Sequence, residues 1–107
     1  MEHLDDNRSA TIEGHRDPSG VVTLSIAGEL DLASVESVRE TVDRLVNGDV
    51  PRVVFDLGGL RFMDSSGIAM MLQVSRRVGK VEVRNVTPIV RRVIEVTGLV
   101  EMLGLES

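Results

Sequence analysis

Ser65 and Ser66, between Asp64 and Gly67, place two adjacent hydroxyls where an apolar strand-like run, Arg52 to Leu57, gives way to an apolar helix-like run, Ile68 to Val78. A helix start exposes unpaired backbone N–H groups and the positive end of the helix dipole, and both favour a nearby anion. A serine there acts either as a plain cap or as a phosphate acceptor. Asp and Ser are preferred N-caps, and Gly permits close packing, so local spacing alone favours the cap. The two roles are compatible, because one serine can cap while its neighbour stays exposed.

Other candidate chemistry is weaker. Glu29, Asp31, Asp56 and Asp64 fall where strands are expected to end, and an acid cluster of that kind can hold Mg²⁺. A phosphoaspartate receiver would also want a lysine at a later strand end, but Lys80 falls at a strand start. Turn and helix capping is therefore the stronger reading of these acids. His3 and His15 have no second ligand at metal spacing. The Gly58-Gly59 pair extends to no dinucleotide fingerprint, there is no P-loop, and Ser65 has neither a nucleophile elbow nor a local histidine base. No cofactor and no catalytic residue is expected.

Composition narrows the classes further. At 107 residues, 42% hydrophobic and 27% charged, the chain fits one globular domain around one core. Phe55 and Phe62 are its only aromatic residues, so a base-stacking surface is not expected. A formal charge of −5 argues against a phosphate-backbone binder. The absence of cysteine excludes disulfides, thiolate metal sites and cysteine nucleophiles. The acidic start, Met1 to Asn7, lacks an apolar signal core, and no apolar stretch approaches the ~18 residues of a membrane span, so a cytoplasmic protein without membrane or nucleic-acid partners is expected.

The elements that must position Ser65 follow from periodicity. Residues 1 to about 9 read as a loose tail. Thr11 to His15 reads as a short strand, Asp17-Pro18-Ser19-Gly20 as a turn, and Val21 to Ala27 as an alternating second strand. Leu32, Val35, Val38, Val42 and Leu45 then recur on one face at helical spacing, with Asn47-Gly48 as the stop. Val53 to Leu57 is a third strand. The next helix, from Gly67 to about Val78, is apolar almost all round, which requires either two buried faces or one face kept for a partner. Lys80 to Val86 reads as a fourth strand, and Pro88 opens a third helix that stops near Gly98. Leu99 to Leu105 completes the pattern as a short helix and a last strand. The class is α/β, a single small domain with right-handed crossovers and an antiparallel edge from the opening hairpin.

Four blocks in order carry a resemblance: Gly28-Glu29-Leu30-Asp31, the strand ending in Asp56-Leu57, Phe62-Met63-Asp64-Ser65-Ser66-Gly67-Ile68, and Val86 to Ile94 with Thr97-Gly98-Leu99. Together they resemble the STAS domain of bacterial anti-sigma factor antagonists, over roughly residues 10 to 105. The resemblance implies a mixed sheet of four to five strands with about four helices packed against it, the domain occupying residues 10 to 107.

It also implies a function. Proteins of this kind bind an anti-sigma factor that is also a serine kinase, and thereby release a sigma factor. The first serine of the Asp-Ser-Ser-Gly motif, here Ser65, becomes phosphorylated and binding is lost; a separate phosphatase restores it. Mg-ATP belongs to the partner kinase. By the same resemblance Glu29, Asp31, Met63, Asp64, Ser65, Ser66, Gly67, Ile68 and Met71 form the partner-binding region, with Glu29 and Asp31 in a loop beside Ser65. Alternatives are a STAS scaffold in a larger stress-signalling assembly, a small-ligand sensor, or a small metal-dependent enzyme built on the acids.

Overall fold

The computed structural model describes residues 9–98. Strand β1 (Thr11–Arg16) turns into β2 (Val22–Leu30), followed by α1 (Val35–Leu45), β3 (Val53–Met63), α2 (Ser65–Ser75), β4 (Val81–Arg84) and α3 (Pro88–Val96). The fold is a single small α/β domain that has, among the described residues, a four-stranded mixed sheet and three helices, in strand order β1-β2-β3-β4. The β1–β2 pair is antiparallel, and the β2–β3 and β3–β4 pairs are parallel. The additional helix and strand expected at Leu99 to Leu105 lie outside the described residues.

The opening turn is built by one carboxylate. Asp17 Oδ1 accepts from the Ser19 N–H at 2.9 Å, the Ser19 hydroxyl at 2.7 Å and the Val21 N–H at 3.0 Å. These bonds, the Ser19 hydroxyl first, hold the Asp17 carboxyl below its ordinary pKa range. Before the hairpin, Ser9 already makes a parallel bridge to Glu29, so the tail expected to run to about residue 9 is paired at its last residue.

Strand order with two parallel crossovers in one direction puts α1 and α2 on the same face of the sheet, since such crossovers are right-handed. That face supplies the core: Val22, Leu24, Ile26 and Leu30 of β2, Phe55, Leu57, Leu60 and Met63 of β3, Val38 and Val42 of α1, Met71 and Val74 of α2, and Val90 and Ile94 of α3. Alternate residues, including Glu13, His15, Ser25 and Arg84, are exposed.

The third strand runs well past Leu57, where simple alternation stops. Between the pairs Ser25–Asp56 and Leu30–Met63, five steps along β2 are matched by seven along β3, so β3 carries two irregularities. Each extra residue breaks the period-two pattern, and burial passes from Phe55 and Leu57 to Leu60 and Met63. The consequence is positional: the longer strand delivers Asp64 and Ser65 to the end of β2.

Candidate functional site

The site forms where β2 and β3 end side by side. Leu30 pairs with Met63, and one residue further on the Asp64 N–H donates to the Leu30 carbonyl at 3.1 Å. Asp64 is the N-cap of α2: its backbone is extended and its Oδ1 accepts from the Ser66 N–H at 2.8 Å. Its carbonyl accepts from the Gly67 N–H at 3.1 Å. The cap is thus the aspartate, and both serines lie inside the first helical turn. Ser65 is exposed and Ser66 half-buried.

Gly67 explains how closely the helix can sit. A Cβ at this position would lie 2.6 Å from Met63 Cγ, 2.9 Å from Met63 Sδ and 2.9 Å from Leu30 Cδ2. The first turn of α2 therefore rests directly on the ends of both strands, and any side chain at position 67 would stand in the way.

On the other side of the site, Asp31 starts the turn into α1. Its Oδ1 accepts from the Ala33 N–H at 3.1 Å and the Ser34 N–H at 3.2 Å, and its carbonyl accepts from the Val35 N–H at 2.9 Å. The Ser34 hydroxyl donates to the Glu29 carbonyl at 2.9 Å and accepts from the Asp31 N–H at 3.2 Å. Ser34 is the buried polar residue of this connection, and its bonds tie the end of β2 to the head of α1. Sequence reasoning missed it; an Asp-x-x-Ser spacing before a helical run was the available signal. Gly28 is fitted just as tightly: its φ is +94° and a Cβ would fall 2.4 Å from the Ser9 carbonyl oxygen.

The expected site residues divide into two groups. The backbones of Glu29, Asp31, Asp64, Ser65 and Ser66 lie at the adjoining ends of β2 and β3, Glu29 as the penultimate residue of β2 rather than in a loop. Met63, Gly67, Ile68 and Met71 are corrected as partner surface, because their side chains, or for Gly67 its lack of one, are used inside: Met63 and Met71 are 0% exposed and Ile68 is 4% exposed. The all-round apolarity of α2 reflects two buried faces, one on β3 and one on α1. The α1 side is fixed by Arg77, which pairs with Asp43 at 2.9 Å, and by a bond between Arg39 and Gln73. Leu32 is also corrected: expected on the core face of the first helix, it lies in the turn before α1 and is 76% exposed.

Asp56 lies apart from the strand ends that carry Glu29, Asp31 and Asp64. Asp56 pairs with Ser25 and Arg84 within the sheet, where its Oδ1 accepts from the Gly58 N–H at 3.0 Å and from Asn85 Nδ2 at 3.2 Å. Among the described residues no three His, Asp or Glu side chains are grouped so as to hold a metal ion. No helix among them is long and apolar enough to cross a membrane.

Among the described residues, a mixed four-stranded sheet with helices on its core face, and a capped helix start seated on two parallel strand ends, define a small α/β domain with an exposed serine in the first turn of α2. The STAS domain model matches residues 13–107, and the chain belongs to that family. It is 34% identical over 83 residues to an anti-sigma F factor antagonist of Lysinibacillus sphaericus, covering 73% of this chain and 71% of the relative. A protein of the same description from Paenibacillus polymyxa is 30% identical over 104 residues, covering 92% of this chain and 86% of the relative. Among solved structures, the anti-sigma factor antagonist SpoIIAA in its unphosphorylated form superposes with a TM-score of 0.74 at 29% identity, over 83% of this chain and 82% of that one. The phosphorylated form of SpoIIAA, a Bacillus cell fate determinant, superposes with a TM-score of 0.67 at 28% identity, over 83% and 85% of the two chains.

Proposed function

We propose that this chain is an anti-sigma factor antagonist, a binding protein rather than an enzyme, and that phosphorylation of Ser65 by its partner, an anti-sigma factor with serine kinase activity, switches it off. The observation that carries the reading is the contrast within one helical turn: Ser65 is exposed, whereas Asp64 is engaged as the cap, Ser66 is half-buried and Gly67 is packed on the strands. A relative of similar fold exists in unphosphorylated and phosphorylated forms, which supports a modifiable hydroxyl as the control point. A phosphatase completes the cycle, and Mg-ATP is a substrate of the partner.

The physical basis of the switch is electrostatic. Phosphorylation adds about −1.5 to −2 charge at neutral pH. At a helix start the local N–H groups and dipole favour an anion, so the domain stays folded. Docking is penalised instead. One unit-charge repulsion at about 4 Å in an effective dielectric near 20 is roughly 4 kcal/mol. Halved for solvent and relaxation, about 2 kcal/mol remains, or roughly thirtyfold in affinity. Asp64 stands next in the chain, so sealing a phosphate beneath a partner would also desolvate two neighbouring anions.

The test is binding of wild type, Ser65→Ala and Ser65→Asp to the purified anti-sigma kinase, by calorimetry or surface resonance. Ser65→Ala is expected to bind like wild type and resist inactivation by Mg-ATP, and Ser65→Asp to bind more weakly. Equal affinity of all three would count against a charge switch. Mass spectrometry after treatment with the kinase and Mg-ATP should map the phosphate to Ser65; a phosphate on Ser66 would overturn the assignment.

A further inference from the structure

We propose that Asn47 is a site of spontaneous covalent modification, where attack by the backbone nitrogen of Gly48 deamidates the side chain. The reaction needs an accessible asparagine, a following residue without a side chain to shield its nitrogen, and a backbone free to close into a ring. All of these meet here. Residues 47 to 49 are exposed in the connection from α1 to β3. Gly48 has φ +68°, and nothing lies within 4 Å of where a Cβ would stand. Among the described residues the Gly48 N–H has no hydrogen-bond partner, so its deprotonation breaks no bond. Asn85 is the internal comparison. It too is exposed, with φ +58°, but its Nδ2 donates to Asp56 Oδ1 at 3.2 Å, and it is followed by half-buried Val86, branched at Cβ.

The step balances without a cofactor. The Gly48 nitrogen bonds to Asn47 Cγ, the Cγ–Nδ2 bond breaks, and ammonia leaves carrying the proton that the nitrogen gave up. Water then opens either carbonyl of the cyclic imide. One opening leaves aspartate; the other leaves isoaspartate, in which the main chain runs through the former side chain. Both products put a carboxylate where an amide was, and a carboxylate accepts but does not donate, so the bond from Asn47 Nδ2 to the Arg44 carbonyl at the end of α1 is lost. Isoaspartate also lengthens the main chain by one carbon. That carbon falls within the stretch that Arg16 ties to β1, by donating to the carbonyls of Asn47 at 3.2 Å and Asp49 at 3.0 Å. Asn47 lies before the start of β3 and Ser65 after its end, so the change is separate from the proposed switch.

The test incubates the full chain at mildly alkaline pH, native and urea-unfolded, and maps deamidation by peptide mass spectrometry. Isoaspartate is counted by methyl transfer from S-adenosylmethionine with a purified isoaspartyl methyltransferase. The native protein should deamidate at Asn47 at least about tenfold faster than at Asn85, whose amide is held by a bond to a charged group. Its rate at Asn47 should lie within about threefold of the unfolded chain's, since an exposed connection costs little to open. The added carboxylate takes the formal charge from −5 to −6, a new acidic peak in ion exchange. Asn47→Ser should abolish that peak, and Gly48→Ala should slow it. Retention of Asn47 in the native protein while the unfolded chain loses it, equal deamidation at Asn47 and Asn85, or an acidic peak that persists in Asn47→Ser would each overturn the proposal.

Discussion

Replacing Gly67 by alanine tests the packing that places Ser65. The added methyl would lie 2.6 Å from Met63 Cγ and 2.9 Å from both Met63 Sδ and Leu30 Cδ2. Carbon atoms in ordinary contact sit about 3.5–4.0 Å apart, so all three approaches are too close. Neither neighbour can swing outward, because Met63 and Leu30 are both 0% exposed. Overpacking of this kind destabilises by about 1–3 kcal/mol, and the helix preference of alanine over glycine returns at most about 1 kcal/mol. A net loss of about 1–2 kcal/mol is expected, which lowers the melting temperature of a domain this size by roughly 5–10 °C.

Thermal and urea unfolding of Gly67→Ala checks the sum, and a double-mutant cycle with Met63→Ala checks its cause. Removing the Met63 side chain leaves a cavity that costs about 2–5 kcal/mol alone, but it also takes away two of the three close contacts. The double variant should therefore be more stable than the two single effects predict, by roughly 0.5–3 kcal/mol. Strict additivity, or a Gly67→Ala variant as stable as wild type, would refute the direct seating of α2 on the strand ends.

Three further outcomes follow from the same structure. Met71→Ala should destabilise the fold by about 2–5 kcal/mol in denaturant titration, because Met71 is fully buried; a change below about 0.5 kcal/mol would return it to the surface. Asp64→Ala should lose about 1 kcal/mol with the cap bond to the Ser66 N–H, and hydrogen exchange should quicken in the first turn of α2 ahead of its last turn. Asp17 governs an acid limb: its folded pKa lies below the ordinary 3.8, so its contribution is present above that value and is lost as pH falls through the folded pKa. Stability of the wild type should accordingly fall between pH 5 and pH 2 more steeply than that of Asp17→Asn, and parallel acid limbs would refute the assignment.

The order of elements was legible in the sequence because each carries its own period: Val35, Val38 and Val42 repeat as a helix face, and Leu24 and Ile26 alternate as a strand. The second half of β3 was not, because its two irregularities break the alternation beyond Leu57 without ending the strand. Leu32 obeys the helical spacing of α1, but the Asp31 carboxylate captures the N–H groups of Ala33 and Ser34 and delays the helix to Val35. Helix α2 was ambiguous for a different reason: hydrophobicity reports burial, not what does the burying. Contacts with both β3 and α1 consume the faces that a partner was expected to share. The Asp-Ser-Ser-Gly motif was legible as a helix start; that Asp64 rather than a serine makes the cap depended on the extended backbone at Asp64.

The division of labour within that motif follows from helix geometry. Successive residues turn by about 100°, so Ser65 and Gly67 point to nearly opposite sides of α2. The glycine side is the side that meets Met63 and Leu30, which leaves the position-65 side to solvent. A charge added at Ser65 would therefore act on whatever approaches from outside, while the core contacts that hold the helix remain on the far side. A serine at the position of Gly67 would have its Cβ within 2.9 Å of buried Met63 and Leu30 atoms, on the packed side of the turn and away from an approaching kinase. In this fold, a switch that controls docking without costing stability requires the modified residue to stand on the opposite side of the turn from the packed one, and the spacing Ser-x-Gly meets that requirement.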